Sequence, residues 1–251
     1  MRTAVPFQVS TGAFSVKLAP GKYRVLATGA GSTETSFPSD TIVMQRSLDV
    51  SAAVSNAAWN VSTVAVSGTV AIDGVAPTPT STCSPTSTSA QVRVTLADAD
   101  GARYSTSIPC SVSTGAFTMK VAQGTYQLVA EGEGSTSFPS SAVLMQKDLN
   151  VVAAITGSAW NVMTKPVTGT LLIDGVPPTP TSGCSSTSNQ VSLSFVGAAG
   201  DEYSASIPCV VSTGAFMLKL PAGTYRVLAH GLGSTTFPSG TYEVVNALQV
   251  Q

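Results

Sequence analysis

The sequence predicts an all-β protein made of tandem β-sandwich units. First, the block Val9–Phe14 returns about 100 residues later at Val112–Phe117, and again at Val211–Phe216; a repeat of this length is the size of a domain. Second, apolar and polar residues alternate within each repeat, which is the pattern of half-buried strands. Third, no segment carries a sustained apolar stripe with the 3.6-residue period of a helix.

Strands can be placed in order along the complete repeat. Phe117, Met119 and Val121 alternate with Thr118 and Lys120, so the three apolar side chains share one face of a strand. The predicted strands are Val64–Ile72, Gln91–Ala97, Arg103–Ile108, Phe117–Val121, Thr125–Ala130, Val143–Val152 and a last one around Trp160–Met163. Matching strands are expected around Phe14, Val16 and Leu18 and around Trp59 in the first repeat. Seven short strands are typical of a β-sandwich.

The repeats divide the chain into three units. Residues 1–63 match only the second half of a sandwich repeat, residues 64–163 form a complete repeat, and residues 164–251 lack the counterpart of the last strand. The stretch Trp59–Thr63 runs directly into the next unit without a Gly/Ser-rich linker. A connection of this kind restricts the swing between neighbours, so we expect a semi-rigid rod. The Pro- and Thr-rich stretch Ala76–Thr82 is expected to be a loop within its unit.

Four cysteines occupy matching places in two of the units. The pairs are Cys83 with Cys110 and Cys184 with Cys209, while the half unit has Phe7 at the second place and lacks the first. Because both members are absent together, the pattern predicts two disulfides and an oxidising, extracellular or cell-surface location. Free buried cysteines remain an alternative, and zinc is disfavoured by the small number of ligands. The segment Met1–Pro6 has no apolar core of a signal peptide, so we expect a mature product or part of a longer exported protein.

The strand and turn motifs resemble a known family. The motifs are Gly68-Thr69-Val70, Gly115–Val121 and Gly124–Val129 in one unit, and Gly214-Ala215-Phe216 and Gly223–Leu228 in the next. They resemble the carboxypeptidase regulatory-like domain, a seven-stranded prealbumin-like (Ig-like) β-sandwich found as tandem modules in secreted and surface bacterial proteins. The cysteine pair and the Pro-Thr-rich loop depart from the general pattern. The resemblance implies a non-catalytic accessory, adhesive or structural module, and it carries over no catalytic residue.

Composition excludes several classes of function. The net charge is −1 and charged residues make up 10% of the chain, against roughly 25% in ordinary soluble domains. This balance leaves no basic patch for nucleic acid or an anionic membrane, and no continuous apolar run is long enough to span a bilayer. A single histidine and scattered carboxylates offer little for catalysis or metal binding. We therefore expect no enzymatic activity, no cofactor, no metal site, no nucleic-acid partner and no membrane insertion.

Recurring aromatic residues are the candidate interface or ligand sites. Phe37, Phe138 and Phe237 precede Pro-Ser near the end of each unit, and Trp59 and Trp160 recur in the last strand. Such rings could stack on sugars, but filling the sandwich core or packing between units is the favoured interpretation.

Three polar motifs also recur or resemble known sites. The turn Asp98–Gly101 has the beginning of a calcium loop without the later glutamate, so a plain turn is favoured. Lys17, Lys120 and Lys219 recur at one strand position, while Asn60 and Asn161 recur in the last strand. An isopeptide cross-link between lysine and asparagine is disfavoured because the lysines lie on the polar face of the strand.

The leading hypothesis is an extracellular structural or adhesive repeat protein. Its partners would be adjoining repeats or copies of itself, head to tail, with strand exchange between chains completing the incomplete units of a fibre or filament. The incomplete units are not simple complements of each other, and a fragment of a longer array would explain the frame equally well. The alternative function is a carbohydrate-binding or accessory module that contacts surface glycans.

Overall fold

The computed structural model describes residues 12–29, 40–80, 83–84, 86–133, 136–181, 183–198 and 200–251. These ranges contain β-strands and no helix, which confirms the predicted all-β class for them. They accordingly include no helix of the length and apolarity needed to cross a membrane. The strands are β1 (Gly21–Thr28), β2 (Thr41–Val50), β3 (Thr63–Ile72), β4 (Ala90–Ala97), β5 (Arg103–Pro109), β6 (Ala116–Ala122), β7 (Gly124–Gly132), β8 (Val143–Val151), β9 (Ile155–Val162), β10 (Thr164–Thr170), β11 (Asn189–Gly197), β12 (Glu202–Pro208), β13 (Ala215–Pro221), β14 (Gly223–Gly231) and β15 (Thr241–Val250).

The middle segment contains two sheets. One is antiparallel, with strand order β5-β4-β7-β8, and the other has the order β6-β3-β9, in which β3 and β9 run parallel. Apolar side chains alternate inward along the strands: Val92, Val94 and Leu96 of β4 are fully buried. Burying one such side chain contributes roughly 1.5–3 kcal/mol. The inner faces of both sheets contribute to one buried cluster, as expected for a β-sandwich-like fold.

A buried tyrosine fastens the first residues of β7 to the preceding turn. Tyr126 packs edge-on against Tyr104, with ring centroids 5.8 Å apart, and its hydroxyl donates to the carbonyl of Ala122 at 2.9 Å. The same hydrogen bond recurs in the other units, from Tyr225 to Pro221 and from Tyr23 to Ala19. Burial raises the pKa of Tyr225 to about 12, so this hydroxyl stays protonated and remains a donor at ordinary pH.

The last segment repeats six of these strands. Its sheets have the orders β12-β11-β14-β15 and β10-β13. Within the described residues, β10 pairs with β13 along one edge and with no strand along its other edge. The corresponding edge of β3 in the middle unit is paired with β9. One residue, Met163, separates β9 from β10.

The described residues of the first segment, 12–29 and 40–62, contain one hairpin. β1 and β2 pair antiparallel and correspond in sequence to β7 and β8. The strands predicted around Phe14–Leu18 and around Trp59 are absent, since residues 12–19 and 57–62 carry no strand assignment. The prediction was wrong there because a strand requires a hydrogen-bonded neighbour. In the middle segment that neighbour is β3, which lies between β6 and β9.

Candidate inter-unit junction and aromatic sites

Two disulfides close the Pro-Thr-rich loops. Cys83 is bonded to Cys110 and Cys184 to Cys209, with Cα–Cα distances of 5.8 and 5.7 Å, as predicted from the joint absence of both cysteines in the half unit. Each bridge ties the loop after the first strand of its unit to the end of β5 or β12. The loop is therefore anchored on the sandwich at its centre as well as at its ends.

A buried glutamine lies beside each disulfide. Gln91 and Gln190 are fully buried, and each side-chain amide donates to two backbone carbonyls, one at the last residue of the next strand and one three residues beyond it. In the middle unit the acceptors are Pro109 and Val112, which flank Cys110. Sequence reasoning missed these residues, although a glutamine recurring at the start of an apolar strand is an available signal.

The phenylalanines of the Phe-Pro-Ser motifs are core residues. Phe138 and Phe237 are 5% and 4% exposed. A sugar cannot stack on a ring whose faces are covered, so the burial of these two residues agrees with the favoured interpretation, packing in the core. Phe37 lies outside the described residues.

The two tryptophans share their contacts but differ in exposure. Trp160 is 6% exposed, packs on Phe117 at 5.4 Å between ring centroids, and donates from Nε1 to Oε1 of Gln146 at 2.6 Å. Its burial removes it from the candidate ligand aromatics. Trp59 stacks on Phe14 at 5.5 Å.

Trp59 also keeps the polar contact of its counterpart, since its indole N–H donates to Gln45. It remains only half-buried, because the described residues of the first segment provide no parallel strand beside it.

Asp73 forms the junction between the middle and last units. Its carboxylate accepts hydrogen bonds from the backbone N–H and the hydroxyl of Thr164, both at 2.7 Å, and from Nζ of Lys219 at 3.1 Å. The hydrogen bonds from Thr164, followed by that from Lys219, lower the pKa of Asp73 to about 2. One carboxylate from the middle unit therefore contacts the first strand of the next unit and a second strand beside it.

The backbone around Asp73 completes this junction. Asp73 has a positive φ of 53°, followed by Gly74 at 77°. In this conformation the N–H of Asp73 donates to the carbonyl of Val162, and the N–H of Gly74 donates to Oδ1 of Asn161, each at 2.9 Å. The turn thus binds the end of β9 just before the chain enters β10.

Sequence reasoning identified Lys219 and Asn161 only as recurring residues and did not single out Asp73. In the structure Lys219 pairs with Asp73 and Asn161 accepts from Gly74, which gives both recurring positions a non-covalent role at the junction.

A second set of polar contacts joins the first segment to the middle unit. Asp40 accepts from the backbone N–H of Ser105 at 2.6 Å and from its hydroxyl at 2.9 Å. Arg46 pairs with Asp98 and Asp100, and its hydrogen bond to Asp100 is the main cause of a raised pKa of the guanidinium.

The carboxylate of Asp98 is therefore already bound by groups of the protein. Besides the pairing with Arg46, Oδ1 of Asp98 accepts from the backbone N–H groups of Asp100 and Ala102 at 3.0 and 2.7 Å. These bonds within the turn account for the Asp-rich motif as a turn. In the part of the chain that the structure describes, no group of three metal-ligating side chains comes together.

Comparisons with known proteins assign no family. No protein-family model and no curated protein matches the chain. A DUF3823 family protein from Bacteroides ovatus is similar over 75% of this chain and 98% of its own, at 11% identity and a TM-score of 0.27. One from Parabacteroides merdae is similar over 76% and 100%, at 11% identity and a TM-score of 0.27. The Bacillus anthracis TIE protein has 13% identity and a TM-score of 0.22 over 75% of this chain, which spans 32% of that protein. At such scores these similarities carry no argument about function, and the resemblance to carboxypeptidase regulatory-like domains stays a prediction.

Proposed function

We propose that this chain is an extracellular structural or adhesive protein, in which tandem seven-stranded sandwiches of the carboxypeptidase regulatory-like kind form a semi-rigid rod. The observation that carries the proposal is the junction at Asp73. Three hydrogen bonds from the next unit converge on one carboxylate, and a single residue separates the units. A connection this short and this well bonded transmits force and orientation from one unit to the next.

The two disulfides support an extracellular location. Disulfides persist in oxidising compartments and are rare in the cytosol. Each of them fastens a long loop to a sandwich, which protects a secreted module from unfolding and from proteolysis. Labelling of intact cells of the source organism with an antibody against this chain tests the location, and labelling only after lysis would contradict it.

Glycan binding is less well supported as a function. Trp160, Phe138 and Phe237 are buried, and Trp59, the remaining aromatic candidate in the described ranges, already stacks on Phe14. A planar strip of exposed rings, which sugar stacking requires, is therefore missing from the described surface at these positions.

Small-angle X-ray scattering of the dilute chain under non-reducing conditions tests the rod. We expect an elongated particle with one preferred arrangement of its units. Negative-stain images should show short beaded rods. A broad distribution of bent and folded particles would contradict the proposed rod.

A further inference from the structure

The last unit has an apolar groove where the middle unit holds β9. In the middle unit Val66, Phe117 and Met119 are buried, and their counterparts Val167, Phe216 and Leu218 are only half-buried. Across the sandwich, Val143 and Met145 are 1% and 8% exposed, whereas the matching Tyr242 and Val244 are 45% and 38% exposed. These five residues of the last unit (Val167, Phe216, Leu218, Tyr242 and Val244) define the acceptor groove, which borders the unpaired edge of β10.

The segment Ala57–Ser62 matches, in sequence and in the contacts of its tryptophan, the part of β9 that fills this place in the middle unit. Asn56 has a φ of 58°, and its counterpart Gly157, at the irregularity of β9 between the paired residues Ile155 and Ser158, has a φ of 68°. Trp59 repeats the aromatic and hydrogen-bonding contacts of Trp160. The segment nevertheless pairs with no strand in the described chain.

The polar groups that form the Asp73 junction have counterparts beside the acceptor groove and beside the segment Ala57–Ser62. Asp174, with a φ of 52°, matches Asp73, and Thr63 and Lys120 match Thr164 and Lys219. Within the described ranges the side chains of Asp174, Thr63 and Lys120 are exposed and take part in no hydrogen bond or ion pair. The unpaired carboxylate of Asp174 belongs to the unit with the acceptor groove, and the unpaired Lys120 belongs to β6, next to the strand that begins at Thr63. The charges of these two surfaces are therefore complementary.

We propose that the acceptor groove of one chain binds the segment Ala57–Thr63 of a second copy, as a parallel strand beside β10. The register of β3 with β9 sets Trp59 opposite Leu171 and Val61 opposite Ile173. Asp174 then accepts from Thr63 and Lys120 of the second copy, as Asp73 accepts from Thr164 and Lys219. The ring of Trp59 then packs on Phe216 of the chain that provides the groove, in place of Phe14 of its own chain. This inference rests on the proposed function and extends the rod into a head-to-tail filament.

One position departs from the middle unit and provides a sharp test. Val245 lies at the register position of Gln146, the acceptor of the Trp160 N–H. Val245→Gln supplies the missing amide, so we expect it to strengthen association about threefold to tenfold, the effect of one additional hydrogen bond. Such a gain cannot come from a loss of folding.

Two weakening variants complete the test. Trp59→Ala removes the anchor of the donor strand and is expected to weaken association at least about 30-fold, as for a central interface residue. Asp174→Asn should weaken it about tenfold by removing the charge. Asp148→Asn is the matched control, because Asp148 is also exposed, has a φ of 54° and makes no described hydrogen bond.

Sedimentation velocity across a concentration series measures association, and hydrogen exchange of β10 reports where it occurs. We expect chains that lengthen with concentration while the β10 amides become protected. A monomer at every concentration, or association that Trp59→Ala and Val245→Gln leave unchanged, would overturn the inference. An elongated monomer would overturn it while leaving the proposed rod intact, whereas a flexible monomer would contradict both.

Discussion

Asp73 combines two tasks that sequence patterns usually assign to different residues. Its backbone occupies a left-handed conformation that aspartate tolerates, and the resulting turn exposes two N–H groups to the end of β9. Its side chain is 25% exposed and binds the following unit. The orientation between units thus depends on one residue whose conformation and charge must both be correct.

The charge of Asp73 predicts a dependence of the junction on pH. Because its pKa is lowered from 3.8 to about 2, its contribution is complete above about pH 4 and is lost as the pH falls towards 2. The protection of the Thr164 amide, measured by NMR as its exchange rate relative to that of an unstructured peptide, should fall over this range.

Asp73→Asn tests the assignment of that pH dependence. It should lower the protection of the Thr164 amide already at neutral pH and remove the further loss of protection between about pH 4 and 2. Asp174→Asn is the matched control at a concentration where the chain is monomeric. If both variants retain the acid-induced change at Thr164, another group is responsible.

At the scale of the element, the parallel pair of β3 and β9 explains a glycine. A Cβ at Gly68 would collide with the carbonyl oxygen of Ser158 and with the ring of Trp160. At the matching Gly169 the nearest obstacle is the ring of Phe216, with its Cζ atom 2.7 Å away. An aromatic ring at an open edge can rotate aside, but the backbone of a paired strand cannot.

Gly68→Ala should therefore destabilise the middle unit by about 3 kcal/mol, as expected for overpacking against a backbone. Gly169→Ala should cost about 1 kcal/mol or less in the last unit, because Phe216 can move. Urea unfolding measured by circular dichroism, with the fluorescence of the buried Trp160 as a probe of the middle unit, checks both values. Equal losses would mean that β9 does not restrict Gly68.

The disulfide loops give a second prediction at this scale. Replacing both Cys83 and Cys110 by Ala should lower the free energy of unfolding of the middle unit by about 3 to 4 kcal/mol, because the bridge spans 27 residues and restricts the unfolded chain. The double replacement of Cys184 and Cys209 is the matched variant for the last unit. The denaturant midpoint should fall in only the unit that was changed, and a shift in both would indicate strong coupling between them.

For the whole molecule, the sequence predicted what depends on local alternation and internal repetition. The buried faces of β4 and β6 follow from alternation within one repeat, and both cysteine pairs follow from comparison of the repeats with one another. The Asp73 contacts were not predicted, since they join residues 91 and 146 positions apart. The prediction of a strand around Phe14 failed for a related reason. Apolar and polar residues alternate there as in a strand, but the neighbouring strand of the sheet is missing from the described chain.

The coupling of successive units gives the last prediction. Inserting Gly-Ser-Gly after Met163 keeps every strand but separates Thr164 from Asp73, so the units should move independently. Small-angle scattering should then show a flexible particle with a wider distribution of distances, while the unfolding transitions stay in place. The same insertion after Pro180, in a loop within the last unit, is the control and should leave the scattering unchanged. If both insertions scatter like the parent chain, the direct connection does not set the arrangement of the units, and the contacts of Lys219 with Asp73 or packing elsewhere must hold them.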